Sequence, residues 1–380
     1  MKKIPVAIPV IGLRELSYVF RALAKSEISG YSKQFIPRFE SEFAEMCGSK
    51  FGVSVNSGTS AIHLALEALG VGPGDEVLVS AYTNMATFFP ILQLGGNPVP
   101  IDVDPQTFNM NPEDLRISIS EKTKAIIVVH IFGHPAPMDE IVSIADSFGV
   151  PIIEDCAEAH GAKVGDKTVG SFGAIGCFSF YANKLMTTGE GGMLTTNNLA
   201  LRDSMKSIAS LSFGKVNKFV HERDGYNFRL TNIQAGLGIA QLHRLPKMIR
   251  DKRKIALRYN RLLSENDNLQ LPIEIVGFTN VYWMYHLKLI SYNSNTIEKI
   301  IRRLEDFGIE ARRGFIPFSD QQNVLDKFGI RVRNTPIASA AGESTLYLPS
   351  GPALSHRKIK YIARTFLKVL DEVGTSKSTR

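Results

Sequence analysis

The chain has 380 residues, too many for one ordinary domain, so a large and a small domain are expected. Hydrophobic residues make up 44% and mean hydropathy is near zero, as in a soluble globular protein with a sizeable core, and no apolar run is long enough to cross a bilayer. The net charge of +7 and pI near 9.2 suit an anionic partner, but the basic residues are scattered (Lys252–Lys254, Arg302–Arg303, Arg312–Arg313) without interleaved aromatics. That excludes a nucleic-acid-binding stripe and leaves anionic small molecules.

The N-terminal stretch carries Lys2, Lys3 and an apolar patch broken by Pro5 and Pro9, without the longer apolar region and small-residue cleavage site of a signal peptide; a cytoplasmic protein is expected. Three cysteines (Cys47, Cys156, Cys177) are too few and odd in number for a disulfide framework. In chain order the pattern predicts a strand at 52–56, a helix at 60–69, and a strand at 76–80 after the turn Gly72-Pro73-Gly74-Asp75. An apolar run at 125–130, a helix near 139–148 and a run at 150–154 follow. These runs are continuous rather than alternating, as in parallel strands buried on both faces. The expected fold class is α/β, with a parallel-rich sheet in a large domain at 1–245. A charged helix at 247–264 opens a smaller α+β domain at 246–372, and 373–380 reads as a disordered tail.

Three segments carry candidate chemistry. Asn56-Ser57-Gly58-Thr59-Ser60 lies between a strand and a helix, where free N–H groups and small hydroxyls can hold a phosphate. Taken alone it is equally a plain N-cap. It has no P-loop lysine, and no G-x-G-x-x-G follows a strand. Pro151-Ile-Ile-Glu-Asp155 ends an apolar strand in two acids, where ligands gather in open α/β sheets. A carboxylate there can keep a heteroaromatic nitrogen protonated, or it can simply cap the next segment. Ser179-Phe-Tyr-Ala-Asn-Lys184 precedes Thr187-Thr188-Gly189-Glu190-Gly191-Gly192. A lysine so placed is either a solvated turn residue or a desolvated amine able to attack an aldehyde. Together an anion cradle, a ring-nitrogen carboxylate and a lysine point to a pyridoxal phosphate (PLP) site with Lys184 as Schiff-base lysine and Asp155 at the pyridine nitrogen.

These motifs, with Glu154-Asp155-Cys-Ala-Glu158-Ala-His160-Gly161 and Tyr226-Asn227-Phe-Arg229-Leu-Thr-Asn232, resemble the DegT/DnrJ/EryC1/StrS nucleotide-sugar aminotransferases from about Ile8 to Leu370. In texture they are closest to the GDP-perosamine synthases, which share Gly-Glu-Gly-Gly and Tyr-Asn-(Phe/Tyr)-Arg. The resemblance implies the fold of type I PLP enzymes, with the PLP phosphate on Gly58, Thr59 and the neighbouring Ser60, assisted by Ser179. It implies Asp155 at the ring nitrogen, Glu158 near the ring hydroxyl, and Asn227 reaching the phosphate in the other subunit of a homodimer with shared sites. Relatives usually carry a ring-stacking aromatic where this sequence has Asn84, and Tyr82 is out of step by two. His160, Tyr82, Asn84, Arg229, Arg312 and Phe315 are candidate substrate contacts, and His130 and His134 are expected at strand ends in the cleft.

Other readings are weaker. Cys156, His160, His130, His134 and Cys177 lack paired metal-ligand spacing, so no metal is expected. No G-x-S-x-G elbow supports a hydrolase. Tyr282-Trp283-Met284-Tyr285 reads as a core strand of the small domain. The expected reaction moves an amino group from L-glutamate to a nucleotide-linked keto-sugar, GDP-4-keto-6-deoxymannose first, in surface polysaccharide (O-antigen) synthesis. The alternatives are a transaminase of another ketone or cyclitol, a PLP-dependent sugar dehydratase, which would carry histidine in place of Lys184, and a non-catalytic PLP-binding regulator.

Overall fold

A computed structural model describes residues 3–375, apart from 215, 218, 222, 291 and 293. Its centre is a seven-stranded sheet in the order Phe51–Val55, Gly192–Thr196, Ile175–Ser179, Ile152–Asp155, Thr123–Val129, Glu76–Ser80, Asn97–Ile101. Gly192–Thr196 pairs antiparallel with both neighbours, and the other adjacent pairs are parallel. Both faces are covered. Val77, Val79, Ala125 and Ile127 pack on one side with the Gly58–Ala68 helix, whereas Leu78, Ile126 and Val128 pack on the other with Met138–Phe148. Burial on both faces accounts for the continuous apolar runs, since alternate side chains need not face water. The Phe51, Glu76, Thr123, Ile152 and Ile175 strands all run in one direction, which brings their carboxyl ends to one edge.

The smaller sheet is antiparallel, in the order Leu269–Gln270, Tyr285–Leu289, Thr345–Leu348, Arg312–Arg313, backed by helices Ser294–Asp306 and His356–Thr375. A single 32-residue helix, Asn232–Leu263, joins the two regions. At 1.5 Å per residue it spans about 48 Å. Its first half packs Ala235, Ile239 and Leu242 into the core around Phe39 and Phe180. Its second half packs Ile255, Ala256, Tyr259 and Leu263 under the smaller sheet. The expected domain boundary at 245/246 therefore falls beside Pro246, inside one continuous helix. The last helix continues to Thr375, so residues 373–375 of the expected tail are helical, and 376–380 lie outside the described residues.

Candidate active site

At the carboxyl edge of the parallel strands lies a cavity of about 340 Å³, within the range of small-molecule sites. Its wall includes Ser57, Gly58, Thr59, Thr87, Asp155, Glu158, Ser179, Lys184 and Trp283. Each reaches it for a local reason. Ser57 N-caps the Gly58–Ala68 helix: its Oγ accepts from Ser60 N at 3.0 Å and its carbonyl accepts from Ala61 N at 3.1 Å. That leaves the helix start, at Gly58 and Thr59, facing the cavity. A Cβ on Gly58 would sit 2.7 Å from Ser179 Cβ, so only glycine lets the helix start lie against the Ile175–Ser179 strand.

Asp155 closes its strand and is buried. Its Oδ1 accepts from Ala157 N at 3.1 Å and its Oδ2 from the Thr87 hydroxyl at 2.9 Å. Burial pushes its pKa up, against these two donors and the nearby Lys184 charge. Glu158, three residues later, accepts the Phe132 N–H at 2.7 Å through Oε2, and its Oε1 is 3.8 Å from Lys184 Nζ. Burial raises this carboxyl to about 7, opposed chiefly by Lys184. Lys184 follows the Ile175–Ser179 strand in a turn closed by Lys184 N donating to Tyr181 O at 2.9 Å. Its side chain is 13% exposed, and burial lowers its pKa while Glu158 and Asp155 raise it. Nζ also lies 4.0 Å from the centre of the Trp283 ring. The result is a desolvated amine between two carboxyls, able to alternate between charged and neutral forms.

Asn84, Arg312 and Phe315, candidate substrate contacts in the sequence, also line the cavity. Asn84 is an N-cap, its Oδ1 accepting from Ala86 N at 2.9 Å. Other expected contacts lie elsewhere. Ser60 turns its hydroxyl back to Asn56 Oδ1 at 2.7 Å rather than toward the cavity. Tyr82 is fully buried among Phe108, Phe132 and Phe315, because the strand alternation continued through Ala81 points it into the core. His160 is likewise buried, ringed by Phe43, Phe178 and Phe180 and off the cavity wall, and burial lowers its pKa to about 3. His130 meets Glu154 at 3.2 Å, and His134 meets the Pro135 carbonyl at 2.7 Å, so neither lines the cleft. Asn227 is exposed and Arg229 lies over Tyr31 with its guanidinium 4.7 Å from the ring, both away from this chain's own cavity. His130, Glu154 and Cys156 offer ligand atoms within 4.8 Å of one another, but Glu154 already accepts from Gly170 N, Phe172 N and Gly173 N.

Sequence reasoning missed Thr87 and misassigned Trp283. The small-domain strand begins only at Tyr285, and Trp283 precedes it, on the cavity wall. Thr87 carries no signal in sequence; its partner Asp155 is 68 residues away.

An α/β sheet with a desolvated lysine between carboxyls at its carboxyl edge is the architecture of an aminotransferase, and structural comparison agrees. The aminotransferase from Psychrobacter cryohalolentis matches with a TM-score of 0.89 at 32% identity, over 97% of this chain and 99% of that one. A Streptococcus pneumoniae chain solved in a PLP form matches with a TM-score of 0.91 at 26% identity, over 98% of this chain and 99% of its own. The chain belongs to the DegT/DnrJ/EryC1/StrS aminotransferase family, whose signature matches residues 11–367. The GDP-perosamine synthase of Escherichia coli O157:H7 is 38% identical to it over 365 residues, 96% of this chain and 98% of that protein.

Proposed function

We propose that the protein is a PLP-dependent aminotransferase that moves an amino group from L-glutamate to a nucleotide-linked keto-sugar, GDP-4-keto-6-deoxymannose first. The observation that carries this reading is the Lys184 amine, desolvated in a cleft beside Asp155 and Glu158. The residues present fit the cofactor. The Gly58–Ala68 helix start, with the Ser57, Thr59 and Ser179 hydroxyls, suits its phosphate, and the buried carboxyl of Asp155, held by Thr87, suits its ring nitrogen. Lys184 would hold it covalently. Bound there, the group supplies an electron sink and a carbonyl that exchanges amines.

The chain's own residues do the rest. Lys184 Nζ, with its pKa lowered by burial, takes the proton from the donor's Cα and later returns one to the acceptor carbon. Thr87 and Ala157 donate to Asp155 and favour its ionised form against the burial that raises its pKa, so this carboxylate would hold a protonated ring nitrogen. Glu158 keeps a proton-accepting oxygen beside the amine. Arg312 and Phe315, on the cavity wall, offer charge and an apolar face to a nucleotide diphosphate.

The same reading includes a homodimer with shared sites, in which Asn227 serves the other subunit, a cytoplasmic location, and a role in surface polysaccharide (O-antigen) synthesis. In support of the dimer, the Leu13–Ala24 helix exposes Leu13, Leu16, Phe20 and Leu23 along one face. In keeping with the location, no helix among the described residues is long and apolar enough to cross a membrane.

The test is mass spectrometry of the product formed from PLP-loaded protein, L-glutamate and a panel of nucleotide-linked keto-sugars. An amino sugar made by the wild type and not by Lys184→Ala is expected. A dehydrated sugar lacking nitrogen, or undiminished transamination by Lys184→Ala, would overturn the proposal.

A further inference from the structure

Near the middle of the long helix, Lys252 is 3% exposed, yet among the described residues no carboxylate pairs with it. Its Nζ donates to Trp283 O at 2.7 Å, Ser350 O at 2.6 Å and Ser350 Oγ at 3.0 Å. Three acceptors match the three N–H bonds of an ammonium. Burial without a counter-charge pulls its pKa down to about 7. Burying an amine here is costly, and an apolar side chain would serve packing alone better. What distinguishes Lys252 is that it ties the Trp283 segment, on the wall of the cleft, to the Ser350 segment.

Trp283 is the more telling of the two. Its indole centre is 4.0 Å from Lys184 Nζ, and its Nε1 donates to Asn183 O at 2.9 Å. The preceding Tyr282 has φ +50°, a region non-glycine residues rarely occupy, and its N–H donates to Asn280 Oδ1 at 2.7 Å. Across the loop, a Cβ on Gly133 would come within 2.8 Å of Trp283 N. The loop is thus fixed on its amide side by Asn280 and Gly133 and on its carbonyl side by Lys252. Ser350 is tied in as well, donating its N–H to Val6 O at 2.9 Å and accepting from Tyr285 N at 3.1 Å.

We propose that Lys252 is a positioning residue: by holding the carbonyls of Trp283 and Ser350, it fixes the Trp283 indole against the Lys184 amine. The proposal rests on Lys184 being the reacting amine. An indole face attracts an ammonium but cannot take its proton, whereas Glu158 can. The indole therefore steadies the free, protonated amine within the cleft without competing for the proton that amine must deliver. Lys252 is not on the wall of the cleft that holds Asp155 and Glu158, its amine bonds to Trp283 and Ser350, and it acts through Trp283.

Trp283 is the single tryptophan of the chain, so intrinsic fluorescence reads it alone. In cofactor-free protein, Lys252→Met should keep the far-ultraviolet dichroism of the wild type while its emission shifts to longer wavelength and acrylamide quenching rises. Unmoved emission and quenching in folded Lys252→Met would overturn the proposal. If Lys252→Met does not fold, Ser350→Ala removes one of the three acceptors and should give a smaller shift in the same direction; no shift overturns the proposal. In loaded enzyme, Lys252→Met should lower kcat about 3- to 30-fold, the span of a cation–π contact to a desolvated ammonium, with the KM for glutamate little changed. Trp283→Leu should reproduce that loss, and Lys252→Met should add nothing in the Trp283→Leu background; fully additive losses would contradict action through Trp283. A moved fluorescence signal in protein whose Lys184 never carries cofactor would instead defeat the underlying reading of Lys184.

Discussion

Thr87→Val exchanges a hydroxyl for a methyl at nearly constant volume, in a side chain only 1% exposed. The lost hydroxyl donates to Asp155 Oδ2 at 2.9 Å and pairs with the Thr83 hydroxyl at 3.1 Å. A hydrogen bond to an ionised carboxylate contributes about 1.5–3 kcal/mol. Asp155 already has a folded pKa raised by burial, and losing the Thr87 donor pushes it higher. The sign follows from proton counting. As pH rises from the ordinary aspartate range, the unfolded chain releases this proton first, so stability falls until the folded pKa is passed. The variant extends that fall. Cofactor-free Thr87→Val should therefore be less stable than wild type by about 1.5–3 kcal/mol at pH 8, with the deficit shrinking as the pH drops toward the aspartate range. Urea unfolding followed by dichroism across this pH range measures it, with Thr87→Ser, which keeps the hydroxyl, as the control. A deficit of equal size at both ends of the range would refute a role in holding the Asp155 charge and leave only packing.

Two further changes test the cradle and the carboxyl pair. Gly58→Ala should destabilise the fold by about 1–3 kcal/mol, as overpacking does, because its Cβ would meet Ser179 Cβ at 2.7 Å; it should also weaken PLP binding, read by thermal denaturation and cofactor titration. Glu158→Gln removes the carboxyl that burial raises to about 7 in the cofactor-free protein. Because that folded pKa lies above the ordinary carboxyl value, wild-type stability should fall as pH rises toward 7, and the glutamine variant should lack this component of the fall.

Much of the frame was legible because it is local. The strand expected at 76–80 is found at Glu76–Ser80, since a Gly-Pro-Gly-Asp turn precedes a run of apolar residues buried on both faces. Asp155 could be picked out because strands that run in one direction deliver their carboxyl ends to one edge, Lys184 because it follows an apolar strand before a Gly-rich turn, and Gly58 because it opens a helix, whereas Ser179 comes with the family resemblance. The long helix was read only from 247 onward. Its first half contains Gly236 and Gly238, poor helix residues kept small by Phe35 and Phe39, and Pro246 interrupts the pattern. Tyr82 and His160 were drawn toward the site by sequence proximity, whereas strand alternation and the aromatic core take them away from it. Thr87 and Trp283 act through partners 68 and 100 residues distant, and no local periodicity records such pairings.

The central claim concerns one amine. PLP-loaded protein reduced with borohydride, digested and sequenced by tandem mass spectrometry should carry the pyridoxyl group on Lys184. A label found on Lys252 or another lysine, or no covalent label from protein that turns over, would contradict the account.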